Sequence, residues 1–214
     1  MSYARALRCR KCGQEYPLQP INLCDFCLSP LEVSYDYKAM AKGLSREKLA
    51  GGPLSMWRYR DLLSVESEVV DIGTGFTPLV KADRLGQELG LDELYIKNDC
   101  LNPSYSFKDR VVSVAITKAR EFGFDTVACA STGNLAASVA AHAGKAKMKA
   151  YVFVPSNMET VNIFLTEGID RSESKEFPEI NGIHLYYLSW LNGLGYWASQ
   201  FVFLPLRPYD ILFG

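Results

Sequence analysis

The sequence has almost no charge of either sign in excess: 23 basic side chains stand against 24 acidic ones, a net charge of −1 over 214 residues. That balance excludes bulk attraction to nucleic acid or to an anionic membrane as the main theme. Aromatic and basic residues do not interleave as they do in nucleic-acid modules. Arg5, Arg8, Arg10 and Lys11 form one small basic cluster, which reads as a solvated face. The stretch Met1 to Arg10 lacks the apolar run of a secretory leader, so the expected compartment is the cytoplasm. Low-complexity composition is missing too. With 48% apolar and 22% charged residues, disorder and collagen-like folds are excluded, and one or two domains with a real core are expected.

Four of the six cysteines are paired: Cys9-x2-Cys12, then eleven residues, then Cys24-x2-Cys27. In a reducing compartment, two such pairs close a thiolate tetrahedron around zinc. Gly13, and Leu28-Ser29-Pro30, suit the tight turns that follow each pair. Four cysteine ligands leave no open position, so the expected zinc is structural. The alternative is a set of reduced, unmetallated thiols. Cys100 and Cys129 fall outside the pattern and read as small packing residues.

The rest reads as α/β. A short helix is expected over 44–49, capped by Ser45 and broken by Gly51-Gly52-Pro53. Gly73 to Leu79 reads as a loop, Asp83 to Leu89 as a helix with Gly90 at its C-cap, and Leu94 to Ile96 as a strand. A longer helix should follow the loop 102–106. Ser106 and Asp109 have capping-box spacing at its start, and Val111, Val112, Ala115, Ile116, Ala119 and Phe122 lie on its apolar side. Thr126 to Ala130 and Ala150 to Val154 read as buried strands, with an alanine-rich helix over 134–143 between them. Strand, helix, strand at this spacing implies a right-handed parallel crossover. The expected organisation is an N-terminal four-cysteine zinc ribbon over 1–35, a linker with helical segments over 36–70, an α/β domain with parallel strands over 71–158, and a divergent apolar tail over 159–214.

Two loops have chemical character. Lys108 falls in a helix's first turn, where the macrodipole disfavours a cation and so favours the neutral, nucleophilic amine. Ser131-Thr132-Gly133-Asn134 joins a buried strand to a helix and offers hydroxyls and free N–H groups to an anion. Taken alone, each also reads as an ordinary surface lysine and an ordinary N-cap turn.

Together these segments resemble threonine synthase, of the pyridoxal-phosphate fold-type II group, from about Cys9 to about Pro155. The cysteine ribbon resembles the one many threonine synthases have in front. Gly75-Phe76-Thr77-Pro78-Leu79 is similar to the family's G-x-T-P-L, and Asn102 to Arg110 is similar to its N-P-T-x-S-F-K-D-R. The resemblance implies that Lys108 binds pyridoxal 5'-phosphate covalently and then moves protons on the substrate. It implies that Asn134 meets the cofactor's phenolic oxygen, that Phe107 lies beside the cofactor, and that Ser131, Thr132 and Gly133 hold the substrate carboxylate. The implied reaction turns O-phosphohomoserine and water into threonine and phosphate. Two residues depart from the pattern: Thr74 stands where an acid is usual, and Tyr105 where glycine is common.

The larger departure lies downstream. The family's chains are longer, and a glycine-rich loop in their second half binds the cofactor phosphate. Here the glycines after Gly144 are Gly168, Gly182, Gly193, Gly195 and Gly214, all separated. The α/β domain is therefore expected to be incomplete, a truncated threonine synthase with activity impaired or absent. Asn181 to Leu206 bears no formal charge. Its length makes it a membrane-span candidate, but Asn192, Gly193, Gly195, Ser199, Gln200 and Pro205 argue against that. A small-molecule substrate is the expected partner, with no nucleic acid and no membrane, and a homodimer is left open. His184 has no assigned role, and His142 reads as a helix-surface residue. Two other readings compete: a related β-replacing or β-eliminating enzyme such as a cysteate synthase, and a non-catalytic zinc-ribbon interaction module.

Overall fold

The structure, a computed structural model, describes residues 2–130, 133–155, 175–176 and 183–188. Three short strands open the chain: β1 (Ala4–Cys9), β2 (Glu15–Tyr16) and β3 (Leu31–Tyr35), in the antiparallel order β2-β1-β3. The sheet brings both CxxC turns to one end, since Cys9 closes β1 and pairs with Leu31.

Two short helices follow, α1 (Tyr37–Gly43) and α2 (Arg46–Ala50). The Asp36 carboxylate accepts from Ala39 N and caps α1; the Ser45 hydroxyl accepts from Lys48 N and caps α2, as its residue type favours. A 3-10 segment, Met56–Leu62, then buries Met56 and Trp57 against Val65. A two-stranded antiparallel ribbon pairs β4 (Leu79–Lys81) with β5 (Tyr95–Lys97). Between them runs α3 (Asp83–Leu89), stopped by Gly90 at φ +69°.

The α/β layer is built from α4 (Lys108–Glu121), β6 (Thr126–Ala130), α5 (Asn134–Ala146) and β7 (Lys149–Pro155). Strands β6 and β7 pair in parallel, from Thr126 opposite Lys149 to Ala130 opposite Phe153. The parallel pairing is the one that the spacing predicts. Val112, Ile116 and Ala119 of α4 pack with Val139 and Ala143 of α5, Val127 of β6 and Ala150 of β7 in one core. Gly123, at φ +83°, ends the turn after α4.

Two further strands, β8 (Lys175–Glu176) and β9 (Ile183–Leu188), extend this sheet in the order β6-β7-β9-β8. β9 is antiparallel to β7. Six residues of the uncharged stretch 181–206 are thus strand, and His184 lies in it; the remainder of that stretch, and most of the tail 159–214, lies outside the described residues. Among the described residues, no helix is long and apolar enough to cross a membrane.

Three expectations are corrected. Val111 is 62% exposed, whereas Ser113 and Thr117 are buried on the inner face of α4. That face is set by hydrogen bonds: Trp57 Nε1 donates to Ser113 Oγ at 3.0 Å, Ser113 Oγ donates to Val70 O at 2.6 Å, and Val70 N donates to Thr117 Oγ1 at 2.9 Å. His142 is fully buried rather than on the surface. Its Nδ1 lies 2.7 Å from Ser138 O and its Nε2 3.1 Å from Thr74 Oγ1. Cys100 is exposed, while Cys129 is buried as a packing residue should be, and burial pushes its thiol well up.

Candidate functional site

Lys108 is the first residue of α4. The chain leaves α4 at Gly123, reverses, and enters β6; α5 then leaves the carboxyl end of β6 and runs back along the strand. Both helices pack with Val127 of β6 in one core. Lys108 and Asn134 are the first residues of two helices that share one core, and Asn134 comes just after the carboxyl end of a parallel strand. Ligands bind at that end in open α/β sheets. Asn134 is exposed and Gly133 is its N-cap. A Cβ built on Gly133 would meet no described residue within 4 Å. Ser131 and Thr132 lie outside the described residues.

The capping box expected at Ser106 does not form. The Ser106 hydroxyl accepts from Lys108 N at 3.2 Å, but the Asp109 carboxylate turns away from the helix. It accepts from Ser104 N at 2.7 Å and also from the Ser104 hydroxyl. Fully buried, Asp109 fastens the 102–106 loop to the turn that contains Lys108. Lys108 itself is half-buried, with Nζ 4.9 Å from the centre of the Phe107 ring. Among the described residues it pairs with no carboxylate, which leaves the amine available to a carbonyl compound. Phe107 is largely exposed, at the same turn.

Sequence reading missed a set of ties behind the lysine. Arg110 reaches Asp99 with both Nε and Nη2, at 3.0 and 2.8 Å. This fork holds the Asp99 carboxyl down to about 2. Asn102, almost fully buried, accepts from Gly75 N at 2.9 Å and donates to Asp99 O at 2.9 Å. Tyr105 sits at φ +54°, the conformation that makes glycine the easier residue there. Thr74, in the acid's place, spends its hydroxyl on His142.

The four ribbon cysteines do converge. Their sulfurs lie within 4.8 Å of one another, with Cys9 to Cys27 at 3.4 Å and Cys12 to Cys24 at 3.6 Å. A zinc ion at its usual ~2.3 Å from four sulfurs would set them about 3.8 Å apart, so the quartet could hold one. The Tyr16 hydroxyl lies 3.2 Å from Cys24 Sγ and lowers that thiol to about 6, since a donor favours the thiolate.

Residues 70–169 match the family model for pyridoxal-phosphate dependent enzymes. A threonine synthase of Methanocaldococcus jannaschii is 43% identical over 150 residues, covering 69% of this chain and 37% of the relative. The threonine synthase of Methanosarcina acetivorans is 44% identical over 151 residues, again 37% of its length. One from Synechocystis sp. is 44% identical over 100 residues, or 45% of this chain and 26% of the relative. The match with the two archaeal relatives thus spans little more than a third of their length. Over residues 70–169 the chain is thus similar to pyridoxal-phosphate dependent enzymes, and it is similar to threonine synthases over the part of their length that it matches.

Proposed function

We propose that the chain holds the lysine half of a threonine-synthase-type site, acting on O-phosphohomoserine and water to give threonine and phosphate. The feature that supports this best is that Lys108 and Asn134 each open a helix of the same packed core, with Asn134 just past the carboxyl end of β6. The donor set fits pyridoxal phosphate: an amine with no carboxylate partner among the described residues, an exposed amide, and no described residue within 4 Å of a Cβ built on Gly133. When bound, the cofactor supplies an electron-accepting ring. Lys108 Nζ would hold the cofactor's aldehyde carbon and later take and return protons on the substrate carbons. The Asn134 amide would donate to the phenolic oxygen, and Phe107 would shield one side from water. Ser131, Thr132 and Gly133 would bind the substrate carboxylate through hydroxyls and N–H groups at the start of α5. The cysteine quartet would hold a structural zinc, with Tyr16 as an outer donor to Cys24.

Turnover by these 214 residues alone is expected to be weak or absent, because no run of glycines follows Gly144 to hold a phosphate. The test is to incubate the chain with pyridoxal phosphate, reduce with borohydride and map the modified peptide. Label concentrated on Lys108 supports the reading. Label spread evenly over the surface lysines sinks it and favours a zinc-ribbon interaction module. Release of phosphate from O-phosphohomoserine, measured alongside substrates of β-replacing relatives such as cysteate synthase, decides the substrate.

A further inference from the structure

The proposed role leaves the Gly75-Phe76-Thr77-Pro78-Leu79 loop without a task, yet this loop is fastened to the lysine turn. Arg110, two residues past Lys108, is in the first turn of α4, where the N-cap residue Phe107 makes no side-chain cap and the Ser106 hydroxyl accepts from Lys108 N at 3.2 Å. The first turn is the part of a helix that its own hydrogen bonds restrain least. Its orientation therefore depends on what holds it from outside. Arg110 grips Asp99 with two parallel N–H groups. The buried Thr77 hydroxyl completes the node: it donates to Asp99 Oδ1 at 2.6 Å and lies 3.2 Å from Arg110 Nη2, which donates to it. Gly75, at φ +80°, lets the loop come close. A Cβ there would fall 2.9 Å from both Met56 Cβ and Arg110 Nη1. A second tie runs in parallel, from Gly75 N to the Asn102 side chain.

We propose that Thr77, Asp99 and Arg110 act as positioning residues for Lys108, fixing the direction in which its side chain leaves the helix. This inference rests on the reading of Lys108 as the cofactor lysine. None of the three need touch a ligand. Thr77 bonds to both partners of the node, so removing its hydroxyl leaves Arg110 and Asp99 paired but free to swing. A displacement of the order of an ångström at a reacting group costs as much as ~100-fold in rate.

The experiment uses the full chain and its own surface lysines as internal control. Wild type, Thr77→Ser, Thr77→Val and Arg110→Lys are pulsed briefly with pyridoxal phosphate and reduced, and label at Lys108 is divided by label at the exposed Lys145. Zinc content and the melting curve are recorded for each. The ratio should fall about tenfold in Thr77→Val and in Arg110→Lys, which keeps the charge but loses the fork, and stay within about twofold of wild type in Thr77→Ser. A purely structural role would move the melt and not the ratio. If Thr77→Val does not fold, Arg110→Lys decides. A wild-type preference for Lys108 that survives both substitutions overturns this inference alone. A wild type with no such preference overturns the functional reading and this one with it.

Discussion

Leu28 follows the second cysteine pair at φ +53° and is 73% exposed. Gly13 follows the first pair at φ +79°. The two knuckles are built alike: Gly13 N donates to Cys9 O at 3.0 Å and Leu28 N to Cys24 O at 2.9 Å. One knuckle has the residue its backbone favours and the other does not. Left-handed backbone costs an ordinary residue ~1–2 kcal/mol, offset in part by the greater freedom glycine has when unfolded. Leu28→Gly should therefore stabilise the ribbon by about 0.5–1 kcal/mol, read as a higher denaturant midpoint with metal bound. His142 makes a second case. A carbonyl only accepts, so Nδ1 holds the proton for Ser138 O and Nε2 accepts from the Thr74 hydroxyl. That is the neutral ring, and burial lowers its pKa. The folded state thus resists protonation. Its contribution to stability is intact above about 6.5, the unfolded value, and is lost as pH falls below that. The sequence has two histidines, so an NMR titration resolves them; His142 should titrate below its ordinary value of 6.5, and Thr74→Val should move it. The sequence could not announce this histidine as buried. In an alanine-rich helix, no apolar stripe marks which side meets a partner, and Thr74 is 68 residues away.

Helix α4 shows why the elements were legible and their faces less so. Its position, its stop at Gly123, both flanking strands and the parallel crossover follow from periodicity and punctuation. Its inner face does not, because two hydroxyls displace a valine there. Val111 is left outside while Ser113 and Thr117 hold the backbone of Val70 and the indole of Trp57. Such pairings join residues 43 to 56 positions apart and have no period to read. The same holds for the site: a motif marks Lys108, but the Thr77–Asp99–Arg110 node spans three elements and is invisible as spacing. The energetics can be tested at Ser113. Ser113→Ala leaves the buried Trp57 N–H without its acceptor and Val70 O without a donor. At ~1–3 kcal/mol for each buried group left unpaired, the variant should lose about 2 kcal/mol or more in urea unfolding, together with a change in Trp57 emission.

Across the described residues, apolar burial is uneven, and this decides what the cysteine quartet does for stability. The core of the α/β layer contains nine buried residues, drawn from both helices, both strands, Val70 and Met148. The ribbon is different: among residues 2–35 only Cys9 and Cys24 are buried. Three short strands without an apolar core cannot outweigh the entropy of ordering them. If metal fills the quartet, its binding free energy becomes the ribbon's folding free energy. Metal analysis should find about one zinc per chain. Stripping it with a chelator at neutral pH should abolish hydrogen-exchange protection in β1 and β3, where Leu7 pairs with Val33, and leave that of β6 and β7 largely intact. Among the described residues the ribbon is tied to the segment that follows it by Ser2 Oγ to Leu63 O at 2.8 Å, Ser2 N to the Glu66 carboxylate at 3.2 Å, Asp36 N to Tyr3 O at 2.9 Å and the Arg5–Asp36 ion pair. Loss of protection confined to residues 2–35 would make the zinc a local staple. If β6 lost protection in step, the ribbon would instead be part of one cooperative unit with the domain that contains Lys108, and metal would govern the site from a distance.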